Sequence, residues 1–319
     1  MTLKTVEAVR YVTPLREGGS LPALVEADDG QQYVMKFAGA GQGPKALVAE
    51  IIAGRIGQLL GLRVPELALI ELREGLGRSE PHEEIRDLLN ASTGTNLGLR
   101  YLPSALAYNP LQSPPVESLL ASTIVWFDAY VTNVDRTPRN VNMLMWRQQL
   151  WLIDHGAALY FHHDWSDWEE RAGARFPMIR EHALLPWAEN IRAVDPKLRL
   201  RLETSSLEAI VAEVPDVWLQ DEGAFADVAA HRAAYVAYLA ARRDAADRFM
   251  EEAIDARQRH PYDYDHPRRA LHRSRRIHQR ASFSSAAPSA FWPPPSMDEG
   301  ACVPLRPIWT SNWCANNWS

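Results

Sequence analysis

The chain has 319 residues, enough to bury one large core or two lobes, and its 46% hydrophobic and 23% charged residues are typical of a globular protein. The net charge of −6 rests on an acidic main body, with −11 over residues 1–256, which argues against nonspecific nucleic-acid binding by that body. No apolar run of eighteen residues, no signal peptide and only two cysteines, Cys302 and Cys314, predict a cytoplasmic protein without a membrane span or a disulfide framework.

The first 75 residues have patterns typical of strands with one helix. The four predicted strands are Thr5–Pro14, Ala23–Ala27, Gln32–Phe37 and Val64–Leu72. Asp29-Gly30, between the second and third strands, is a strong signal for a tight hairpin. From Pro44 to Leu60 apolar residues recur every three or four positions, which predicts a helix.

The rest of the chain is predicted to be mainly helical around one pair of strands. Glu117–Tyr130 has the apolar content of a buried helix, and Met143–Trp146 and Leu150–Ile153 have the pattern of strands joined by a turn. Further helices are predicted over Glu80–Ala91, Trp187–Ile191, Pro196–Leu202, Leu207–Glu213 and Ala224–Arg257. A strand-rich start and a helical remainder favour an α+β protein with two lobes and a cleft between them.

The segment at 133–156, NVDRTPRNVNMLMWRQQLWLIDHG, carries the strongest chemical signal. Asp135 is followed five residues later by Asn140 and, after a short apolar hairpin, by Asp154. Phosphoryl transfer from ATP needs a carboxylate beside the attacking hydroxyl and oxygen ligands for magnesium, and the kinase catalytic loop supplies them in this order. The spacing predicts Asp135 as the catalytic base and Asn140 and Asp154 as magnesium ligands. Arg136, beside the base, is predicted to neutralise a phosphate oxygen.

Three features of the N-terminal region fit the same chemistry. Lys36 lies in the strand Tyr-Val-Met-Lys-Phe, where a lysine among buried residues needs a counter-charge that a triphosphate would supply. Glu50 on the following helix could pair with Lys36, although its position opposite the main apolar stripe also fits a residue that faces solvent. Gly18, Gly19 and Ser20 lie between the first two strands, where glycine-rich backbone could cover ATP phosphates.

Two other interpretations of these residues stay open. Asn and Asp also serve as turn and cap residues around hairpins, so the D-x-x-x-x-N spacing alone is a weak signal. The groups Asp154-His155 and His162-His163-Asp164 suggest a metal hydrolase, but their spacing matches no common zinc pattern.

The motifs N-x-D-R-T-x-x-N at 133–140 and I-D-H-G at 153–156 resemble those of the HipA-like kinases, particularly smaller relatives that lack the extra N-terminal domain. The resemblance extends to the strand that contains Lys36, to Glu50 and to the GL-x-VP-E turn at 61–66, and it covers about residues 5–250. It implies a bilobal protein-kinase-like fold, with a strand-rich N-lobe containing one helix and a mainly helical C-lobe. It also implies that Lys36 contacts ATP, that Asp135 is the base, and that Asn140 and Asp154 hold Mg²⁺.

The resemblance implies a kinase domain over residues 1–258, with an N-lobe to about residue 75, that transfers the γ-phosphate of ATP to a Ser or Thr hydroxyl of a protein. The sequence departs from typical protein kinases in having His155 in place of Phe and no H-R-D. Its D-R-x-x-x-N motif also resembles that of phosphoinositide kinases, so a lipid or small molecule is an alternative phosphate acceptor. A catalytically silent nucleotide-binding or partner-binding module is the remaining alternative.

Residues 259–319 differ in composition from the main body. The basic part, 257–280, holds eight Arg and two Asp, while residues 281–319 are low in complexity and contribute −1. We predict a disordered tail. A basic arm for an acidic partner and out-of-frame translation are two further interpretations of this segment.

Overall fold

The computed structural model describes residues 2–15, 21–77, 80–110, 115–220 and 223–259. The predicted phosphate-covering loop at Gly18, Gly19 and Ser20 lies outside the described residues, as does the tail from residue 260. Among the helices in the described ranges, none is both long enough and apolar enough to cross a membrane.

The N-terminal part of the chain forms a closed barrel of five strands. Its strands and the two helices between them are β1 (Lys4–Pro14), β2 (Ala23–Ala27), β3 (Gln32–Lys36), α1 (Gly43–Leu59), β4 (Leu67–Leu72), α2 (Glu83–Ala91) and β5 (Gly94–Arg100). The order around the barrel is β1-β2-β3-β5-β4, and all pairs are antiparallel except β1 with β4.

Residue pattern and turn chemistry explain this barrel. The β2–β3 hairpin turns at Gly30, whose φ of +72° is a conformation that glycine adopts without strain. Val25, Tyr33 and Met35 are fully buried and belong to a core inside the barrel. By contrast, the buried residues of α1 join the larger core that also contains the helical part of the chain. Helix α1 therefore links the two parts and lies beside the site described below.

The remainder of the chain combines a small antiparallel sheet, in the order β6-β7-β8, with helices. Its elements are β6 (Leu106–Ala107), α3 (Ser118–Tyr130), β7 (Met143–Trp146), β8 (Gln149–Leu152), α4 (Trp168–Ala172), α5 (Ile191–Arg201), α6 (Thr204–Val211), α7 (Val228–Asp244) and α8 (Ala246–Arg259). Met143 at the start of β7 pairs with Leu152 at the end of β8. The residues just before β7 and just after β8 therefore lie at the same end of the hairpin.

The strand-rich N-terminal part was expected to end near residue 75, but the barrel continues to Arg100 at the end of β5. The segment that forms the barrel also contains two helices, α1 and α2, where one was expected. Strand β5 pairs with both β3 and β4, and α2 lies between β4 and β5. The two glycines of β5 obscured its strand pattern in the sequence. Gly98 is needed there, because a Cβ atom at this position would collide with the side chain of Ile70.

Two helix predictions also differ from the structure. The long helix expected over Ala224–Arg257 is divided into α7 and α8, which pack on different partners: α7 on α4 and α6, and α8 on α3 and α5. The helix expected over Trp187–Ile191 is replaced by a 3₁₀ turn at Leu185–Trp187 and the start of α5. Two serine hydroxyls of α3 accept hydrogen bonds from the backbone N–H groups of residues 189 and 190, so these N–H groups do not take part in helical hydrogen bonds.

Candidate active site

Asp135 lies in the loop between α3 and β7, and one of its carboxylate oxygens accepts hydrogen bonds from two side-chain amides. Its Oδ2 accepts hydrogen bonds from the side-chain amide of Asn140 at 2.5 Å and from that of Asn142 at 3.2 Å. The backbone N–H of Asp135 donates to Oδ1 of Asn133 at 3.1 Å, which fixes the turn. The arrangement leaves Oδ1 of Asp135 as the oxygen without an amide donor among the described residues.

The surroundings of Asp135 favour a carboxyl group that titrates near neutral pH. Burial is the largest cause and the charge of Asp154 the second, and together they raise the pKa of Asp135 to about 7. The hydrogen bonds from Asn142 and Asn140 act in the opposite direction but are outweighed. A general base performs best when its pKa lies near the working pH, so this carboxyl suits proton transfer.

Lys36, Glu50 and Asp154 come together from three distant parts of the sequence. The ammonium of Lys36, at the end of β3, pairs with Glu50 on α1 and lies 2.7 Å from Oδ1 of Asp154. Glu50 is fully buried, which excludes the alternative that it faces solvent. The side chains of Lys36 and Asp154 keep exposures of 13% and 18%, so this cluster is partly open to solvent.

Electrostatics keep Lys36 and Glu50 of this cluster charged. Burial alone would lower the pKa of Lys36, but the charges of Asp154 and Glu50 outweigh it and raise that pKa above its ordinary value. Burial would likewise raise the pKa of Glu50, but Lys36 and the ring of His155 hold it well below its ordinary value. The buried carboxylate is thus stabilised by its partners.

The segment after β8 turns sharply at the predicted metal ligand. Asp154 has a φ of +55°, in the left-handed region that few non-glycine residues adopt. His155, the residue that replaces Phe, is fully buried with its ring edge-on to Phe127 at 5.8 Å between centroids. Its Nδ1 lies 3.6 Å from Oε2 of Glu50. His155 therefore packs like an aromatic residue beneath α1 while contributing to the environment of Glu50.

A cavity of about 370 Å³, hereafter the cleft, opens beside Asp135 and Asp154. Its walls come from the start of α1, the loop before β7 and the segment after β8. The lining residues are Gly41, Gln42, Ala46, Val134, Asp135, Asp154, Gly156, Ala157, Tyr160 and His163. Two predicted functional carboxylates thus face one space of the size that small ligands or single side chains occupy.

Arg136 has a different place from the one that the sequence analysis assigned to it. Its guanidinium has no exposed surface and pairs with Asp128 of α3 at 2.6 Å from Nε. Its Nη1 donates to the backbone carbonyls of Asn142 and Ile153. A buried guanidinium with these partners does not face the cleft, so the prediction that Arg136 neutralises a phosphate oxygen is wrong. Neighbouring residues of a turn point in different directions, and Arg136 points into the core.

The structure thus brings six of the predicted site residues, Lys36, Glu50, Asp135, Arg136, Asn140 and Asp154, to one region, five of them at or beside the cleft. Three further residues, Asn142, Asp128 and His182, were missed. Asn142 has no signal in the sequence because its role depends on side-chain direction. Asp128 does have one, since it is the sole charged residue of the apolar helix α3 and a buried charge needs partners.

The oxygen donors of Asn140 and Asp154 suit magnesium, which prefers hard ligands and retains several waters. The side-chain nitrogen of Asn140 donates to Asp135, and its Oδ1 accepts no hydrogen bond from the described residues, so this oxygen is the one that could bind a metal ion. The described residues contain no group of three or more His, Cys, Asp or Glu that could hold a metal ion. Two protein ligands completed by phosphate oxygens and water are what magnesium typically takes at nucleotide sites, so the residues fit that ion.

Comparisons with known proteins identify the family of the chain. A search of curated proteins finds no match. The structure is similar to the Helicobacter pylori proinflammatory kinase CtkA, with 13% identity, a TM-score of 0.49 and coverage of 79% of this chain and 97% of that one. It is also similar to the Golgi casein kinase, with 13% identity, a TM-score of 0.39 and coverage of 80% and 73%. The model of the HipA-like kinase family matches residues 8–252, and the chain therefore belongs to the HipA-like kinase family.

Proposed function

We propose that the chain is an ATP- and magnesium-dependent phosphotransferase of bilobal, protein-kinase-like architecture that acts on Ser or Thr hydroxyls of a protein. The observation that carries the proposal is the meeting of Lys36, Glu50 and Asp154 beside the Asp135–Asn140 pair. These residues come from a strand, a helix and two loops, and a kinase reaction needs each of their chemical types in one cleft. The cytoplasmic location stays a prediction from the sequence.

In this proposal Lys36 binds phosphate oxygens of ATP. Glu50 keeps the ammonium charged and fixes its direction from α1. Because Lys36 contacts Oδ1 of Asp154 at 2.7 Å, the positive charge lies beside the carboxylate proposed to hold the metal. The pair of Lys36 and Glu50 therefore aligns the barrel and α1 with the loop after β8.

Asn140 and Asp154 are the residues proposed to hold magnesium, through an amide oxygen and a carboxylate oxygen. Magnesium, when bound, would neutralise charge that develops on the phosphate oxygens. The β7–β8 pairing keeps both ligands at one end of a rigid hairpin. A rigid support of this kind reduces the reorganisation that the reaction requires.

Asp135 is proposed to orient the acceptor hydroxyl and to take its proton through Oδ1. The amides of Asn140 and Asn142 hold Oδ2 and so set the direction of the free oxygen. The acceptor side chain would enter through the cavity lined by Tyr160 and His163. A carboxyl with a pKa of about 7 is a stronger base than an ordinary aspartate, which suits an aliphatic alcohol.

The test measures transfer of labelled γ-phosphate from ATP to dephosphorylated casein with magnesium present. We expect Asp135→Ala to lower turnover by about 10²- to 10⁴-fold, the range of general-base catalysis, and to leave nucleotide binding nearly unchanged. Glu169→Ala, which removes an exposed carboxylate of α4, is the matched control and should keep full activity.

Three results would contradict the proposal in different ways. Phosphorylation of lipid vesicles without phosphorylation of protein would favour a lipid kinase. Binding of ATP without turnover in any acceptor would favour a silent nucleotide-binding module. Full activity in Asp135→Ala would remove Asp135 as the base.

A further inference from the structure

Asp128 is the centre of a fully buried polar cluster that the proposed reaction does not itself use. Its Oδ2 accepts from Nε of Arg136 at 2.6 Å and from Nε2 of His182 at 2.8 Å. Its Oδ1 accepts from the amide of Asn133 at 2.8 Å. The cluster thus ties α3 to the loop that carries Asp135 and to the segment that contains His182.

The hydrogen bonds of His182 fix its protonation. The backbone N–H of Leu184 donates to Nδ1 at 3.0 Å, so Nδ1 carries no proton and Nε2 carries the one donated to Asp128. A second proton on Nδ1 would oppose the Leu184 N–H. Burial also lowers the pKa of His182, in agreement with a neutral ring. The charges of the cluster are therefore one carboxylate and one guanidinium.

The donors of Arg136 that do not face Asp128 reach two places in the backbone. Nη1 donates to the carbonyl of Asn142, and the same carbonyl accepts the N–H of Ile153 at 3.1 Å. Nη1 also lies 3.4 Å from the carbonyl of Ile153, the residue before Asp154. One guanidinium thus contacts the backbone on both sides of the hairpin that carries the two proposed metal ligands.

Asn142 extends these contacts to the proposed base. Its backbone is in the left-handed region, with a φ of +48°, and its carbonyl is held by Arg136. Its side-chain amide donates to Oδ2 of Asp135 at 3.2 Å. A path of direct hydrogen bonds therefore leads from Asp128 through Arg136 and Asn142 to Asp135.

We infer that Arg136, held by Asp128 and neutral His182, is a positioning residue that sets the geometry of Asp135 and Asp154 relative to each other. The inference rests on the proposed phosphotransferase function. Stability alone does not explain the arrangement, because a buried ion pair is often no more stabilising than apolar residues of the same volume. The remaining donor of the guanidinium, Nη1, forms hydrogen bonds with the backbone at the two ends of the hairpin, next to the reacting groups.

The chain offers a matched control in Arg242. It is as deeply buried as Arg136, and its guanidinium also donates to backbone carbonyls, those of Ala129, Tyr130, Ala172 and Ala174. None of these carbonyls belongs to the loop of Asp135 or to the β7–β8 hairpin. Arg242→Lys therefore reports the loss of a buried guanidinium without loss of the proposed positioning.

The experiment compares wild type, Arg136→Lys, Asp128→Asn and Arg242→Lys in the casein assay, well below the lowest Tm of the four. It measures kcat, the KM for ATP, the magnesium concentration at half-maximal rate and Tm. For Arg136→Lys we expect kcat to fall by about 10²-fold, since small misplacements of reacting groups have effects of that size, with the KM for ATP within about twofold. Arg242→Lys should lower Tm by a similar amount but keep kcat within about threefold of wild type.

Asp128→Asn keeps the inference testable if Arg136→Lys does not fold, because Asn retains the shape of Asp128. It should lower kcat in the same direction, and the two changes combined should lower it by less than the product of their separate effects. Equal kcat losses in Arg136→Lys and Arg242→Lys would overturn the inference, as would full kcat in both Arg136→Lys and Asp128→Asn. These outcomes differ from failure of the proposed function, in which Asp135→Ala itself keeps activity.

Discussion

Two buried charge clusters flank the proposed reaction centre, and they differ in access to the cleft. In the first, Lys36 pairs with Glu50 and Asp154, and the exposures of 13% and 18% for Lys36 and Asp154 open it to the cleft. In the second, Arg136 pairs with Asp128, and neither side chain has exposed surface. A cation accessible from the cleft can exchange partners with an arriving phosphate, whereas a sealed one can only hold its neighbours in place.

The choice of cation agrees with this difference. Lysine is a compact charge on a flexible stem and can move between partners, while the planar fork of arginine fixes several acceptors at once. Lys36 contacts one oxygen from each of two carboxylates, and Arg136 contacts one carboxylate and two carbonyls. Arg136, next to the proposed base in sequence, thus holds backbone carbonyls, whereas Lys36, 99 positions before that base, is the cation proposed to bind the ligand.

The largest effect expected from breaking the first cluster is on stability. Lys36→Met leaves the fully buried carboxylate of Glu50 without its main partner, so we expect the free energy of unfolding at pH 8 to fall by about 3–5 kcal/mol. The double variant Lys36→Met/Glu50→Gln should recover part of this loss, because the buried charge is gone. Chemical denaturation of both variants measures the difference.

Neither variant should bind ATP as tightly as wild type, which separates the stability effect from the ligand effect. Recovery of ATP binding in the double variant would contradict the role of Lys36. A double variant no more stable than Lys36→Met would show that the buried carboxylate is not the cause of the loss.

Local signals in the sequence were enough to predict which residues lie close together, whereas the direction of a side chain was not predictable from them. Spacing alone brought Asp135, Asn140 and Asp154 into one hypothesis, because a short hairpin must return its two ends to the same place. It could not place Arg136, since the turn alone decides whether a side chain points to the cleft or to the core. Strand β5 was missed because glycine has no side chain to show the alternation on which strand prediction depends.

A smaller effect, on the affinity for magnesium–ATP, is expected when Asp154 is removed from the cluster of Lys36, Glu50 and Asp154. Asp154→Ala should weaken the binding of magnesium–ATP by at least about tenfold, or about 1.4 kcal/mol, because it removes the charged oxygen ligand proposed for the ion. Asp135→Ala should leave the same affinity nearly unchanged. Titration with a fluorescent ATP analogue, with and without magnesium, measures both, and equal losses in the two variants would contradict the separate roles of these carboxylates.

The smallest expected effect is on the pH dependence of the reaction, and it connects the two clusters at Asp135. Burial and the charge of Asp154 raise the pKa of Asp135 to about 7, while the hydrogen bond from Asn142, whose carbonyl is held by Arg136, lowers it. The base acts when ionised, so kcat/KM for ATP should be constant above pH 7 and fall about tenfold for each unit of pH below it.

Asn142→Ala removes one donor to the ionised carboxylate, so the pKa of Asp135 should rise and the fall in rate should begin at a higher pH. We expect a displacement of about one unit, because a hydrogen bond to a charged group contributes about 1.5 kcal/mol or more, one pKa unit corresponds to about 1.4 kcal/mol, and the amide of Asn140 remains. Arg242→Lys is again the control, since it contacts neither Asn142 nor Asp135 and should leave the pH profile in place. A profile that moves to lower pH in Asn142→Ala would mean that Asn142 favours the protonated form of Asp135. The effect of the hydrogen bond from Asn142 on the pKa of Asp135 would then be opposite to the one expected here.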